Sequence, residues 1–251
     1  MNEPKLAVIM HVHHLDVFEE LFFYLENMPY CFDLHINFSE IINTNQAYIT
    51  EYCSRLKDLN PSMNIYFTTS FNRGQDLGGF FASTANAKKL GLSYDYVCKI
   101  HTKANGQNLN LDFMATKTQW RRELMTTLLG SRKRIVEILN AFVAHPNIGL
   151  ISNGKYYSDN FLPGQNKANY NFFVEKLGLN KEHCWPNNPF FLAGTMFWMR
   201  GKIWDFLMEQ DISINDFETG TGQDGLRSHA FERIFDATVK HLGYICGMVE
   251  E

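Results

Sequence analysis

The chain has no paired cysteines, no long apolar run and no excess of positive charge, and each absence closes off a class of protein. Its five cysteines, Cys31, Cys53, Cys98, Cys184 and Cys246, are scattered and form no C-x-x-C pair. An odd, dispersed set reads as free thiols in a reducing compartment and excludes a disulfide frame or a zinc ribbon. No stretch approaches the roughly 20 apolar residues that span a bilayer. The opening MNEPKLAVIMHVHH holds one short apolar run broken by histidines, too short for the core of a signal peptide. Net charge is -4 at pH 7, the wrong sign for a nucleic-acid footprint, so no nucleic-acid partner is expected. Repeats and low-complexity tracts are also missing. A cytoplasmic protein is expected, docked at most on the inner face of a membrane through partners.

What is present is a full core. Hydrophobic residues make up 45% of 251 positions, enough for one large domain. Residues 6–10 (LAVIM) are a continuous apolar run, the mark of a strand buried on both faces. A helix is expected from Asp16, with Val17, Leu21, Phe22 and Leu25 on one face, stopped by Asn27-Met28-Pro29. A strand at 32–38, a helix at 48–59 and a strand at 64–69 follow. This βαβαβ order predicts a parallel, doubly wound sheet. A polar turn, Asn72-Arg73-Gly74-Gln75-Asp76, is closed by the pair Gly78-Gly79 and leads through a helix to a strand at 96–100.

Beyond residue 103 the periodicity weakens. A polar loop at 104–110 precedes helices at 120–129 and 132–143, hinged at Gly130-Ser131, and a strand at 148–152. Residues 153–171 are expected to form a long loop over the site. A helical turn at 172–177 capped by Gly178, an apolar run at 190–199, a helix at 203–208, a glycine loop at 217–225 and a helix at 226–242 complete the chain. The expected organisation is a single domain over 1–251, with a nucleotide-sugar-binding half at 1–103 and an acceptor-side half at 104–251.

Candidate chemistry collects at strand ends, where α/β proteins build their sites. His11, His13 and His14 follow the first apolar run, and at least one should face the site. Asp76 could cap a helix, or its carboxylate could bind a base or ribose while Arg73 meets phosphate. A helix starting there would aim its positive end at an anion. Lys99, His101 and Lys103 alternate and so share a face, either a pocket for a diphosphate or a solvated edge. Glu218 and Asp224 flank a glycine loop before the last helix, as helix caps or as a general base for an acceptor hydroxyl. His229, Glu232 and Arg233 share a helix face, as an ion pair or as a polar pocket wall. Gly194 and Thr195 permit close approach of a ligand or mark a bulge. Phe197 and Trp198 fit the core better than a sugar platform.

NRGQDLGGFF, YDYVCKIHTK, the pair Trp120-Arg121, FLAGTMFWMR and GQDGLRSHAFERIF, in that order, resemble the rhamnan synthesis protein F family of bacterial polysaccharide and lipopolysaccharide assembly over about residues 5–240. The resemblance implies a GT-A-like, Rossmann-type, mostly parallel sheet flanked by helices. It implies donor contacts from the strand and loop at 8–13 and from Asn72 and Gly74, and places Lys99 to His101 where Asp-x-Asp would bind the divalent cation, Mn2+ or Mg2+. Without that acidic pair, the implied diphosphate is neutralised by Lys99, Lys103 and Arg73, although Asp95, or Asp76 with His101, could still hold a metal.

The expected function is an inverting glycosyltransferase, a hexosyltransferase moving rhamnose from a nucleoside-diphosphate donor to a cell-surface or lipid-linked glycan. Asp224 or Glu218 serves as base, with Gly194, Thr195, Trp198, His229 and Arg233 on the acceptor side. The alternative is an inactive, transferase-like module that binds carbohydrate or nucleotide sugar. A histidine-based phosphohydrolase lacks paired carboxylates and ranks last.

Overall fold

The N-terminal apolar run forms β1 (Leu6–Val12), buried at every position. Its alternate side chains sort the helices into two layers, because successive residues of a strand point to opposite faces. Leu6, Val8, Met10 and Val12 join the core under α1 (Phe18–Leu25), α2 (Gln46–Leu59), α4 (Lys117–Leu129) and α5 (Arg132–Ala144). Ala7 and Ile9 join the core under α3 (Gln75–Lys89), α6 (Pro163–Lys176), α7 (Gly201–Glu209) and α8 (Arg227–His241). The computed structural model describes residues 3–40, 46–106, 116–158, 163–185, 190–220 and 225–250. No helix among them is long and apolar enough to cross a membrane.

The remaining strands are β2 (Phe32–Ser39), β3 (Ile65–Ser70), β4 (Tyr96–His101), β5 (Ile148–Asn153), β6 (Tyr157–Ser158), β7 (Phe191–Leu192), β8 (Phe197–Arg200) and β9 (Ile245–Val249). They build a 7-stranded sheet in the order β3-β2-β1-β4-β8-β5-β9, with β6 and β7 paired apart from it. The pairs β1–β2, β1–β4, β2–β3 and β5–β9 are parallel, and only β8 runs against its neighbours β4 and β5. This is the expected GT-A-like class, a mostly parallel sheet flanked by helices. Strand order steps outward from β1 to β3 and then reverses to β4, so a crevice opens between the carboxyl ends of β1 and β4. That is the topological switch point where α/β proteins bind ligands.

Two expectations fail. Residues 153–171 are not one long loop: a 3-10 turn at Gly154–Tyr156 and β6 come first, then α6 runs to Lys176 and absorbs the expected turn at 172–177. Pro163 suits a first helical position, and Tyr170, Phe173, Val174 and Leu177 bury one face at helical spacing, hidden in the sequence by polar neighbours. The apolar run at 190–199 is not one strand. It is β7 and β8 separated by a tight turn in which Gly194 has φ 95° and Thr195 φ 47°.

Candidate functional site

The crevice at the switch point holds a cavity of about 380 Å³. Its walls are the loop after β1 (His11, His13, His14), the turn before α3 (Asn72, Gln75, Asp76), the tip of β4 with its continuation (His101 to Ala104) and the start of α4 (Lys117, Trp120). A larger cavity of about 570 Å³ lies between α4 and α5, lined by Thr116, Gln119, Glu123 and Arg134 among others. It contains none of the groups that the sequence singled out, so the smaller cavity is the candidate site.

The Lys-Ile-His-Thr-Lys tip divides its tasks. Lys99 does not reach the cavity: its side chain is 1% exposed and its Nζ donates to Asp76 Oδ2 at 2.5 Å and to the Thr195 carbonyl at 2.8 Å. Thr195 Oγ1 donates to the same Asp76 oxygen at 2.6 Å. His101 follows on the same face but at the strand's end, lining the cavity with Nδ1 3.5 Å from Asp76 Oδ2. Thr102 accepts the backbone N–H groups of His13 at 2.9 Å and His14 at 3.0 Å, and so sets the loop after β1. Lys103 lies beyond the strand with Nζ 3.9 Å from the centre of the Trp120 ring, a cation–π contact. The buried Arg121 holds the Lys103 carbonyl at 2.7 Å and is anchored by Glu20 at 2.7 Å. The Trp-Arg pair on α4 therefore supports the basic tip from both sides.

Asp76 does not cap α3. Gly74 is the N-cap, with φ 68°, and Gln75 follows at φ 54°. Burial works against the Asp76 carboxylate, but His101, Lys99 and Lys103 and the Lys99 hydrogen bond hold it well below the usual range. Gly74 has a second constraint, because a Cβ there would lie 2.6 Å from the Phe217 ring. Gly78 and Gly79 do not close the turn; they lie inside α3. A Cβ on Gly78 would lie 1.9 Å from the Arg73 carbonyl, and one on Gly79 would lie 2.0 Å from His11 Nδ1. Gly79 lets the helix come down onto β1, and Gly78 lets the turn fold back against it. Arg73 is turned away from the cavity lining, its Nε donating to the Phe217 carbonyl at 2.8 Å.

The imidazoles at the cavity are held neutral. Burial lowers His11 to about 4 despite its hydrogen bond to Asn37, and burial also lowers His13, His14 and His101. His11 Nδ1 lies 2.9 Å from Asn37 Oδ1, which also accepts from Ser70 Oγ. Nδ1 of His13 is buried with no hydrogen-bond partner among the described residues, so a polar ligand atom has a place there, whereas Nδ1 of His101 faces Asp76 Oδ2.

A divalent cation fits poorly. Asp76 Oδ2 is occupied by Lys99 and Thr195, and no cluster of His, Cys, Asp or Glu among the described residues could hold a metal.

With the switch-point crevice and its basic tip in place, relatives can be compared. The sequence profile of rhamnan synthesis protein F matches residues 1–244. The chain belongs to the rhamnan synthesis protein F family. WxcX proteins from two strains of Xanthomonas campestris pv. campestris, both described as uncharacterized, are 28% identical over 99% of this chain. The chain spans 33% of their length. Among solved structures, the mannosyltransferase PcManGT from Pyrobaculum calidifontis, in complex with GDP-Man and Mn2+, superposes with a TM-score of 0.52 at 13% identity. That match covers 100% of this chain and 56% of the other, a likeness of fold.

The other candidates in this rhamnan synthesis protein F chain scatter. Trp198 is core, fully buried with Nε1 donating to the Leu128 carbonyl at 3.1 Å. Gly194 gives close approach to side chains, since its Cβ would lie 2.9 Å from Trp120 Cζ2. Glu218 accepts the Arg227 backbone N–H at 2.9 Å and so caps α8. Asp224 lies outside the described residues. His229 reaches the site, its Nε2 3.2 Å from the amide nitrogen of Gln75. Arg233 is buried, donating to the His229 carbonyl at 2.5 Å with its guanidinium over the Phe191 ring at 4.3 Å. Sequence reasoning missed Lys117 and Gln75 as lining residues; the positions beside Trp120 and Asp76 carried the signal.

Proposed function

We propose that the chain is a glycosyltransferase that moves a sugar, rhamnose by the family's name, from a nucleoside-diphosphate donor to a cell-surface or lipid-linked glycan with inversion. The observation that carries this is the polar cavity between the ends of β1 and β4, with Lys103 fixed over Trp120 at its wall. The donor lies mainly against the half at 1–103, with its diphosphate between Lys103 and Lys117 of the following half and its ribose and base among Asn72, Gln75 and the neutral imidazoles. A neutral imidazole both donates and accepts, which suits hydroxyls and phosphate oxygens together. Lys103 stabilises the charge that grows on the leaving diphosphate. Lys99, already matched by Asp76, has no such task, and Arg73 braces the turn. The acceptor enters from the half after residue 104, in the cytoplasm at the inner face of a membrane.

A second reading, a binding module without catalysis, is favoured by one observation: Lys99 is sealed in a buried ion pair with Asp76, on the strand where the resemblance would put a metal's acidic ligands. One experiment separates the two. Calorimetry with a panel of nucleoside-diphosphate sugars, with Mn2+ and with EDTA, is run beside a radiolabel transfer assay. A transferase that does not use a metal binds and transfers in EDTA, and Lys103→Ala weakens donor binding by about 10–100-fold, the value of a charge-assisted hydrogen bond. Binding without transfer supports the module. Donor binding undisturbed in Lys103→Ala sinks this placement of the diphosphate.

A further inference from the structure

The helix that closes the acceptor side of the site carries a carboxylate in an unusual state. α8 lies behind the cavity wall, where His229 touches the lining residue Gln75. Three residues on, and so on the same helix face, stands Glu232, whose side chain is 19% exposed. It is close enough to Asp76, Lys103 and Lys99 for their charges to act on it. Among the described residues it accepts no hydrogen bond, and its ion-pair partner is Arg233, at a loose 3.9 Å. Carboxylates this buried are normally paired or hydrogen-bonded.

The other carboxylates near the site are already committed. Asp76 is bound by Lys99 and Thr195, and an acid held that far down makes a feeble proton acceptor. Glu218 caps α8, Glu20 holds Arg121 and Arg122, and Glu123 holds Lys155 and Gln119. Among the described residues, Glu232 combines a place within reach of the Lys103 charge with free acceptor capacity.

We propose that Glu232 is the catalytic base that takes the proton from the acceptor hydroxyl. The assignment rests on the glycosyltransferase reading above and gives Glu232 the role expected of Asp224 or Glu218. In the step, the acceptor O–H bond breaks and its proton moves to a Glu232 carboxylate oxygen. The freed oxygen pair forms the new bond to the sugar's anomeric carbon. The bond from that carbon to the diphosphate breaks, its electron pair leaving on the diphosphate toward Lys103. Burial supports the role by raising the Glu232 carboxyl to about 7, with Arg233 on its own helix, Asp76 from α3, and Lys103 and Lys99 from the β4 side also acting on it. A base titrating there is ionised at working pH yet still basic enough to accept a proton.

The test compares wild type with Glu232→Gln, Glu232→Asp and Asp224→Asn. Donor affinity is measured by calorimetry, and transfer to a rhamnose oligosaccharide is followed from pH 5 to 9. Glu232→Gln should bind donor within about threefold of wild type yet lose transfer by about 10²–10⁴-fold, the usual contribution of a positioned base. In wild type, kcat should climb with pH through a limb near 7 that Glu232→Gln lacks and Glu232→Asp moves. Asp224→Asn should keep that limb. Wild-type turnover with an unimpaired Glu232→Gln, or a limb that vanishes in Asp224→Asn, overturns the assignment alone. A wild-type chain with neither donor binding nor turnover overturns the parent reading and this assignment with it.

Discussion

Replacing Lys99 with Met keeps the length of the side chain and removes its charge. The pair it breaks is sealed, with side-chain exposures of 1% for Lys99 and 10% for Asp76. Removing one partner of a buried ion pair costs about 3–5 kcal/mol, because the charge left behind has no water to turn to. The Thr195 carbonyl loses its Lys99 donor as well, which adds about 1 kcal/mol. Lys99→Met should therefore lose about 5 kcal/mol, a large share of the roughly 5–15 kcal/mol that holds a domain folded. The pH dependence has a definite sign. In wild type the folded-state pKa of Asp76 is depressed, so its stabilisation is present above the unfolded value of about 3.9 and is lost as pH falls through the folded one. In Lys99→Met, burial opposes ionisation without its closest counter-charge, so protonation relieves the variant. The stability gap between the two proteins should narrow from pH 7 to pH 4. Asp76→Leu with Lys99→Met should recover most of the loss, since a buried pair exchanged for apolar groups is often neutral. Urea unfolding followed by circular dichroism measures all three. A loss under about 1 kcal/mol at pH 7, typical of an exposed pair, would refute the sealed arrangement.

Gly79→Ala should lower stability by about 1–3 kcal/mol and weaken donor binding together, because the new methyl meets His11 and Asn37 at 2.0 and 2.5 Å and lifts α3 off β1. Thermal melts and calorimetry report this, and an unchanged melting temperature counts against the close approach. Acid should destabilise the protein through His11 and His35, each lowered to about 4 by burial. Their contribution is complete above about pH 6.5 and is lost as pH falls through 4, since the unfolded chain takes up protons first. His11→Asn should flatten the decline in unfolding free energy, measured by urea titration, between pH 6.5 and 4 by about 3 kcal/mol, and a parallel decline would remove His11 as the cause.

The outline of the fold was legible because its signals are local. Residues 6–10 could only be a strand buried on both faces, and the alternation after it could only wind a parallel sheet. The glycine pair misled because both look like punctuation: Gly78 does face the carbonyl of Arg73 in the preceding turn, whereas Gly79 is needed where the helix presses onto a strand far away in sequence. Lys99 and His101 do share a face, as alternation requires, but sequence carries no depth. Lys99 lies under the turn of Thr195, and only His101 reaches the opening. α6 was hidden by its polar residues, which cover a narrow apolar stripe. Glu232 was visible as part of a helix face, but its state depends on α3 and β4 closing around it.

β8 holds a consequence for synthesis. It lies between β4 and β5 in the sheet, yet it is made long after both, with Tyr96 facing Arg200 across the ladder. A chain still on the ribosome and not yet past residue 197 carries β4 with one edge bare and Lys99 without the Thr195 turn that seals it. Such long-range pairing forms slowly and leaves edges exposed. The switch-point crevice is therefore assembled in outline early and locked late, when the last-made central strand slides between its neighbours. A nascent chain stalled before that strand would be the species that a holding chaperone meets.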